Sequence, residues 1–235
     1  MLPPGNHIDT TAPQLMIDIE TLALSPCPGA IIPSIGAVVF NQSGPFASLY
    51  VTIDRDSCRN AGLVADEKTV EWWADQPAEV RNATMKDEYS LDTALAMLTE
   101  FYTTHQVEAV WANPPVFDAV LLQSAYRAVN QSPPWTDWEL QNYQTLEEIG
   151  LAPDLDRPGE HHHALADAIY QAWVATGALS RLTRLFRGDP TALETMTGLG
   201  PCSDCQTAFE LAPTEDRHQT AIRCSNCENT VRWSL

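Results

Sequence analysis

The segment QLMIDIE, residues 14–20, constrains this chain most. It is an apolar run of the kind that forms a buried strand, yet it carries acids at Asp18 and Glu20. Residues two apart on a strand project to the same face, so both carboxylates leave the sheet together. Two such groups at the end of a buried strand repel each other and lose hydration. Either the strand exits into solvent at that point, or a cation offsets the charge. The second case requires a sheet whose strand ends open onto an acid-lined site.

The rest of the chain supplies such a sheet. AIIPSIGAVVFN and FASLYVTID read as two further strands, separated by proline, glycine and serine breaks. A helix is expected over Glu67–Arg81, and another over Ser90–Gln106, where Leu91, Leu95, Leu98 and Tyr102 recur at helical spacing. EAVWAN suits a fourth strand with Trp111 in the core. VFDAVLLQSAYRAVN suits a helix that buries Leu121, Leu122 and Ala125. After the proline-rich QSPPWTDWEL, a fifth short strand is expected near Tyr143–Leu146, and a last helix from about His163 to Phe186. Three leading strands followed by helices alternating with two more strands give an α/β fold. Its mixed five-stranded sheet is an antiparallel meander continued by parallel strands and flanked by helices. GDPTALETMTGLGP reads as a linker, which divides the chain into a flexible leader (1–13), a main domain (14–195) and a small C-terminal domain (196–235).

At 235 residues and 44% hydrophobic content, the chain can bury a real core. No apolar run approaches the ~18 residues of a membrane-spanning helix, so no membrane partner is expected. The first residues lack the basic and apolar regions of a signal peptide, which makes cytoplasmic the expected location. The net charge of −18 would repel a polyanion, so contact with nucleic acid has to be local and metal-assisted. Arg181, Arg184 and Arg187 form the clear basic cluster. They are either solvated charges near a helix C-terminus or a track for phosphates.

Two more segments carry acids. Asp118, in WANPPVFDAVLL, stands just inside a helix after two prolines, where the helix dipole alone would favour it. In HHHALADAIYQAW, His162 and Asp167 lie five apart, about 140° around an ideal helix. They can address one point if Asp167 is on the helix and His162 in the loop before it; three consecutive histidines also fit a surface cluster. Carboxylates gathered around one point beside an imidazole are what two-metal phosphodiester hydrolysis requires.

These segments resemble the DEDD exonuclease superfamily in its histidine-bearing (DEDDh) subgroup. DIET at Asp18–Thr21 is similar to its first motif, FDAVLL around Asp118 to its second, and HHALADA at His162–Ala168 to its third. A narrower resemblance, carried by the T-x-x-W-W-x-x-Q core of DEKTVEWWADQ and by SIGAVVF, is to the branch that contains phage exodeoxyribonuclease DexA and the exoribonuclease RNase AS. The chain departs from that branch at Pro114-Pro115, where a glycine-containing loop is usual, and at Gln144, where an arginine is expected.

The resemblance implies an RNase H-like fold and a 3′–5′ exonuclease acting on single-stranded RNA or DNA 3′ ends. It also allows a homodimer. By the same resemblance, Asp18, Glu20 and Asp167 hold one divalent ion, with Asp18 bridging to a second served by Asp118, and His162 is the general base. An isolated imidazole titrates near ~6.5, which suits that role. An all-oxygen ligand set suits two Mg²⁺ or Mn²⁺ per site. Thr21 and Leu22 would contact the terminal nucleotide. Trp72 and Trp73 point about 100° apart on a helix, so at most one faces the core squarely; Trp73 is the expected base-stacking or wall residue.

Cys202-x-x-Cys205 and Cys224-x-x-Cys227, eighteen residues apart, form the pattern of a zinc ribbon, with four thiolates closing one tetrahedral Zn²⁺ site. Such a small domain needs the metal to fold. It could meet nucleic acid, dock a protein partner or serve stability alone.

Overall fold

The computed structural model describes residues 10–157, 161–186, 209–212, 219–224, 226–227 and 230–234. Its main sheet has the order β3-β2-β1-β4-β5. Strands β1 (Gln14–Glu20), β2 (Ser34–Asn41) and β3 (Gly44–Thr52) form the antiparallel meander, and β4 (Ala109–Ala112) and β5 (Leu140–Asn142) add to it in parallel. This is the mixed sheet expected from the sequence.

The helices are α1 (Arg55–Asn60), α2 (Glu67–Ala74), α3 (Ala78–Thr84), α4 (Leu91–Thr104), α5 (Asp118–Ala128), α6 (Tyr143–Glu148) and α7 (Ala164–Phe186). α4 packs on β3 and α5, and α5 packs on β1. The expected core residues Leu91, Leu95, Leu98, Leu121, Leu122 and Ala125 are all buried, together with Ile17, Ile19, Ile35 and Val51 from the strands. Trp111 is buried as well, and its indole N–H donates to Gln14 Oε1 at 2.7 Å.

Two local expectations need correction. The single helix over Glu67–Arg81 is two, because Pro77 cannot donate the N–H that would continue α2 and instead starts α3. The fifth strand lies upstream of Tyr143–Leu146. Asn142 ends β5 and caps α6 by accepting from Gln144 N at 3.0 Å, and three residues are too few for alternation to mark a strand. At the end of the expected leader, Thr10 O accepts from Gln42 N at 2.8 Å and Pro13 O from Glu108 N at 2.9 Å. Residues 1–9 lie outside the described residues. α1 has no apolar periodicity to announce it in the sequence; Asp54 starts it by accepting from Asp56 N and Ser57 N.

α7 lies along β2. Its first residue abuts Gly36, Trp173 covers Gly44, and Thr176 Oγ1 donates to Asn41 O at 3.2 Å. Twelve helical residues advance about 18 Å and five strand residues about 17 Å, so helix and strand stay matched along that length.

By its internal contacts the chain divides into two units, residues 1–176 and 177–235, with the division inside α7. The second unit contains an antiparallel sheet of β6 (Phe209–Ala212), β7 (Gln219–Cys224) and β8 (Thr230–Ser234) in the order β6-β7-β8. Cys202, Cys205, Arg187 and the linker with its boundary near residue 195 lie outside the described residues. No described helix is long and apolar enough to cross a membrane.

Candidate active site

β1 places Asp18 and Glu20 on one face while Ile17 and Ile19 point into the core, as strand alternation requires. β4 pairs with β1 only as far as Met16. Beyond that point the edge of β1 has no strand partner, and Asp118, the first residue of α5, takes its place: Asp118 Oδ1 accepts from Ile19 N at 3.3 Å. The buried Oδ2 of the same carboxylate has no hydrogen-bond partner.

The start of α7 supplies the third wall. Asp167 and Gln171, one turn apart, face β1 together. Ligand oxygens of Asp18, Glu20 and Asp167 all lie within 4.8 Å of one another. Gln171 Nε2 donates to Asp18 Oδ1 at 2.8 Å, and Arg157 forms an ion pair with Asp167 Oδ1. Arg157 also stands over the Tyr170 ring at 5.4 Å.

The histidine triplet separates into distinct environments. The His162 main-chain N–H donates to Asp167 Oδ2 at 3.3 Å, and its ring meets Trp72 edge-on at 4.8 Å. His163 stacks on Tyr50 at 4.5 Å, and its Nδ1 accepts a long 3.4 Å bond from Ala166 N at the start of α7. His161 is exposed.

Crowding acids out of water has an electrostatic signature. Burial first, then repulsion from Asp18, Asp167 and Asp118, pushes the Glu20 carboxyl up to about 9. Asp18 is raised by burial and by Asp167, and Asp118 by burial and by Asp18. In the absence of a cation this cluster therefore retains protons. A buried, mutually repelling oxygen set with one orphaned carboxylate oxygen fits hard divalent ions.

A cavity of about 850 Å³ opens beside Glu20, walled by Thr21, Leu24, Trp72, Trp73 and Phe117, with the N-terminal turn of α2 at its rim. Thr21 and Trp73 both line it. Leu22 does not line it; it is 4% exposed in the core, with its N–H bonded to Ile31 O. The tryptophan pair divides as its helical angle demands: Trp73 is 3% exposed and donates from Nε1 to Thr21 O at 2.9 Å, whereas Trp72 is 41% exposed. Gln171, Arg157, Phe117 and the wall role of Trp72 escaped sequence reasoning. Only Gln171 left a signal, its position one turn after Asp167.

The profile of the 3′–5′ exoribonuclease Rv2179c-like domain family matches residues 13–179. The chain belongs to this family. The Rv2179c-like domain therefore runs from β1 into α7 and contains Asp18, Glu20, Asp118, His162 and Asp167. E. coli exonuclease I in complex with a dA16 oligonucleotide is a solved structure similar to this chain. The TM-score is 0.52 at 14% identity, over 91% of this chain and 55% of that one, so this chain spans about half its length. The nuclease domain of 3′hExo, a DEDDh family member bound to rAMP, gives 0.49 at 12% identity over 77% and 94%. At such identities the likeness with exonuclease I concerns the fold alone. No curated protein matches the chain.

Proposed function

We propose that this protein is a metal-dependent 3′–5′ exonuclease that removes nucleotides from single-stranded 3′ ends, with RNA as the substrate that family membership favours. The observation that carries the reading is the convergence of Asp18, Glu20 and Asp167 beside the cavity. Asp18, Glu20, Asp118 and Asp167 would hold two Mg²⁺ or Mn²⁺ ions, which supply an activated water and stabilise the departing 3′ oxygen.

The chain's own groups do the rest. His162, in the loop before α7, takes the proton of the attacking water. Gln171 fixes one oxygen of Asp18 by donating to it. Thr21 and Trp73, joined by the indole hydrogen bond, hold the cavity wall next to Glu20, where the terminal nucleotide is seated. Water attack with loss of the 3′ oxygen releases nucleoside 5′-monophosphates. The test is a 5′-labelled RNA oligomer beside its DNA counterpart, with magnesium, manganese or chelator. A metal-dependent ladder shortening from the 3′ end, faster on RNA, supports the reading; internal cleavage, or metal-independent cleavage, refutes it.

For the second unit we propose one structural zinc on Cys202, Cys205, Cys224 and Cys227. Support comes from the paired C-x-x-C spacing and from Cys224, which ends β7 opposite Phe209 and leads into the turn at Asn226–Cys227. Elemental analysis should give one zinc per chain, lost in a variant with Cys202 and Cys205 both replaced by serine; a zinc-free protein that keeps its fold argues against it.

A further inference from the structure

His162 is held by its main chain more than by its ring. Its φ of 65° lies in the left-handed region, which a residue with a side chain adopts at a cost. The 3.3 Å bond from its N–H to Asp167 Oδ2 fixes that backbone. No described side chain hydrogen-bonds either ring nitrogen. The ring packs instead edge-on against Trp72, whose indole it meets at 4.8 Å and 87°, with the His161 ring farther off at 6.3 Å. Trp72 is itself braced edge-to-face on Trp73 at 5.2 Å and 83°, and buried Trp73 is anchored to Thr21 O. A continuous line of packed groups thus runs from the residue after Glu20 to the imidazole. Trp72 also walls the cavity and remains 41% exposed there.

We propose that Trp72 is a positioning residue for His162, coupling occupation of the cavity to the seating of the imidazole. A nucleotide in the cavity presses on the same indole that orients the ring, so substrate lacking a proper terminal base leaves the ring free to swing. This rests on the reading of His162 as the general base.

The test is a double-mutant cycle on the full-length protein with saturating single-stranded RNA, comparing Trp72→Ala, His162→Ala and the double variant, with thermal melts as a fold control. Trp72→Ala should lower kcat about tenfold, the size of a coupling between contacting residues. Trp72→Phe, which keeps an aromatic wall, should recover most of that loss. In the His162→Ala background the Trp72→Ala change should alter kcat by no more than about twofold, because the ring that Trp72 orients is then absent. An equal fall in both backgrounds overturns the coupling, as does a rise in KM with kcat unchanged, which makes Trp72 a substrate wall only. If His162→Ala alone leaves kcat intact, the general-base reading falls, and this inference with it.

Discussion

Gly36 of β2 faces the first residue of α7, Ala164, so closely that a methyl group on Gly36 would lie less than 3.0 Å from the Ala164 carbonyl. Gly36 is also the β-ladder partner of Asp18. One missing side chain thus brings the helix carrying Asp167 against the strand carrying Asp18. The obstacle is backbone, which cannot rotate away. Gly36→Ala should cost about 1–3 kcal/mol of stability, as overpacking does. It should also reduce divalent-metal affinity by displacing Asp167, measured by calorimetric titration with Mn²⁺. Unchanged affinity would separate the helix start from the site.

The raised carboxyls predict how stability depends on pH. Glu20 holds its proton up to about 9 in the folded, metal-free protein, far above the ordinary carboxylate value. The folded state therefore binds more protons than the unfolded chain between about pH 4.5 and 9, and linkage makes stability fall as pH rises through that window. In chelator, the Tm should decline from pH 5 to pH 9. With millimolar Mg²⁺ the decline should be shallower, so the gain from metal grows with pH. A metal-free Tm that rises across the window would show that the acids are not crowded in this way.

The histidine triplet divides by role. His162→Ala should lower kcat by ~10²–10⁴-fold, the usual range for loss of a general base, with Tm unchanged. His163 caps α7 and stacks on Tyr50. Its replacement by alanine should cost about 1 kcal/mol, as loss of a helix cap does, or roughly 2–4 °C in Tm for a domain of this size. The opposite pattern would exchange the two assignments.

Much of this was legible because the signals were local. The acids at 18 and 20 mark their strand by apolar flanks, and Asp167 sits at a helix start announced by the apolar run behind it. What was hidden depends on residues distant in sequence. Nothing near Arg157 marks it as the partner of Asp167, and Gly36 reads as an ordinary strand glycine until α7 is seen against it. The place of Leu22 directly after the motif suggests a substrate contact, but backbone bonds to Ile31 and Asp66 turn it into the core. The tryptophan pair showed that its two faces differ, yet not which ring stays open.

The most direct test of the central claim is metal-dependent cleavage of 5′-labelled single-stranded RNA by the wild type and by Asp18→Asn and Asp167→Asn, each near-isosteric and each expected to fold. The wild type should shorten the strand one nucleotide at a time from its 3′ end with magnesium or manganese and stop when chelator is added, while both variants stay inactive at every metal concentration. Either variant matching the wild-type rate would contradict a site built on these carboxylates.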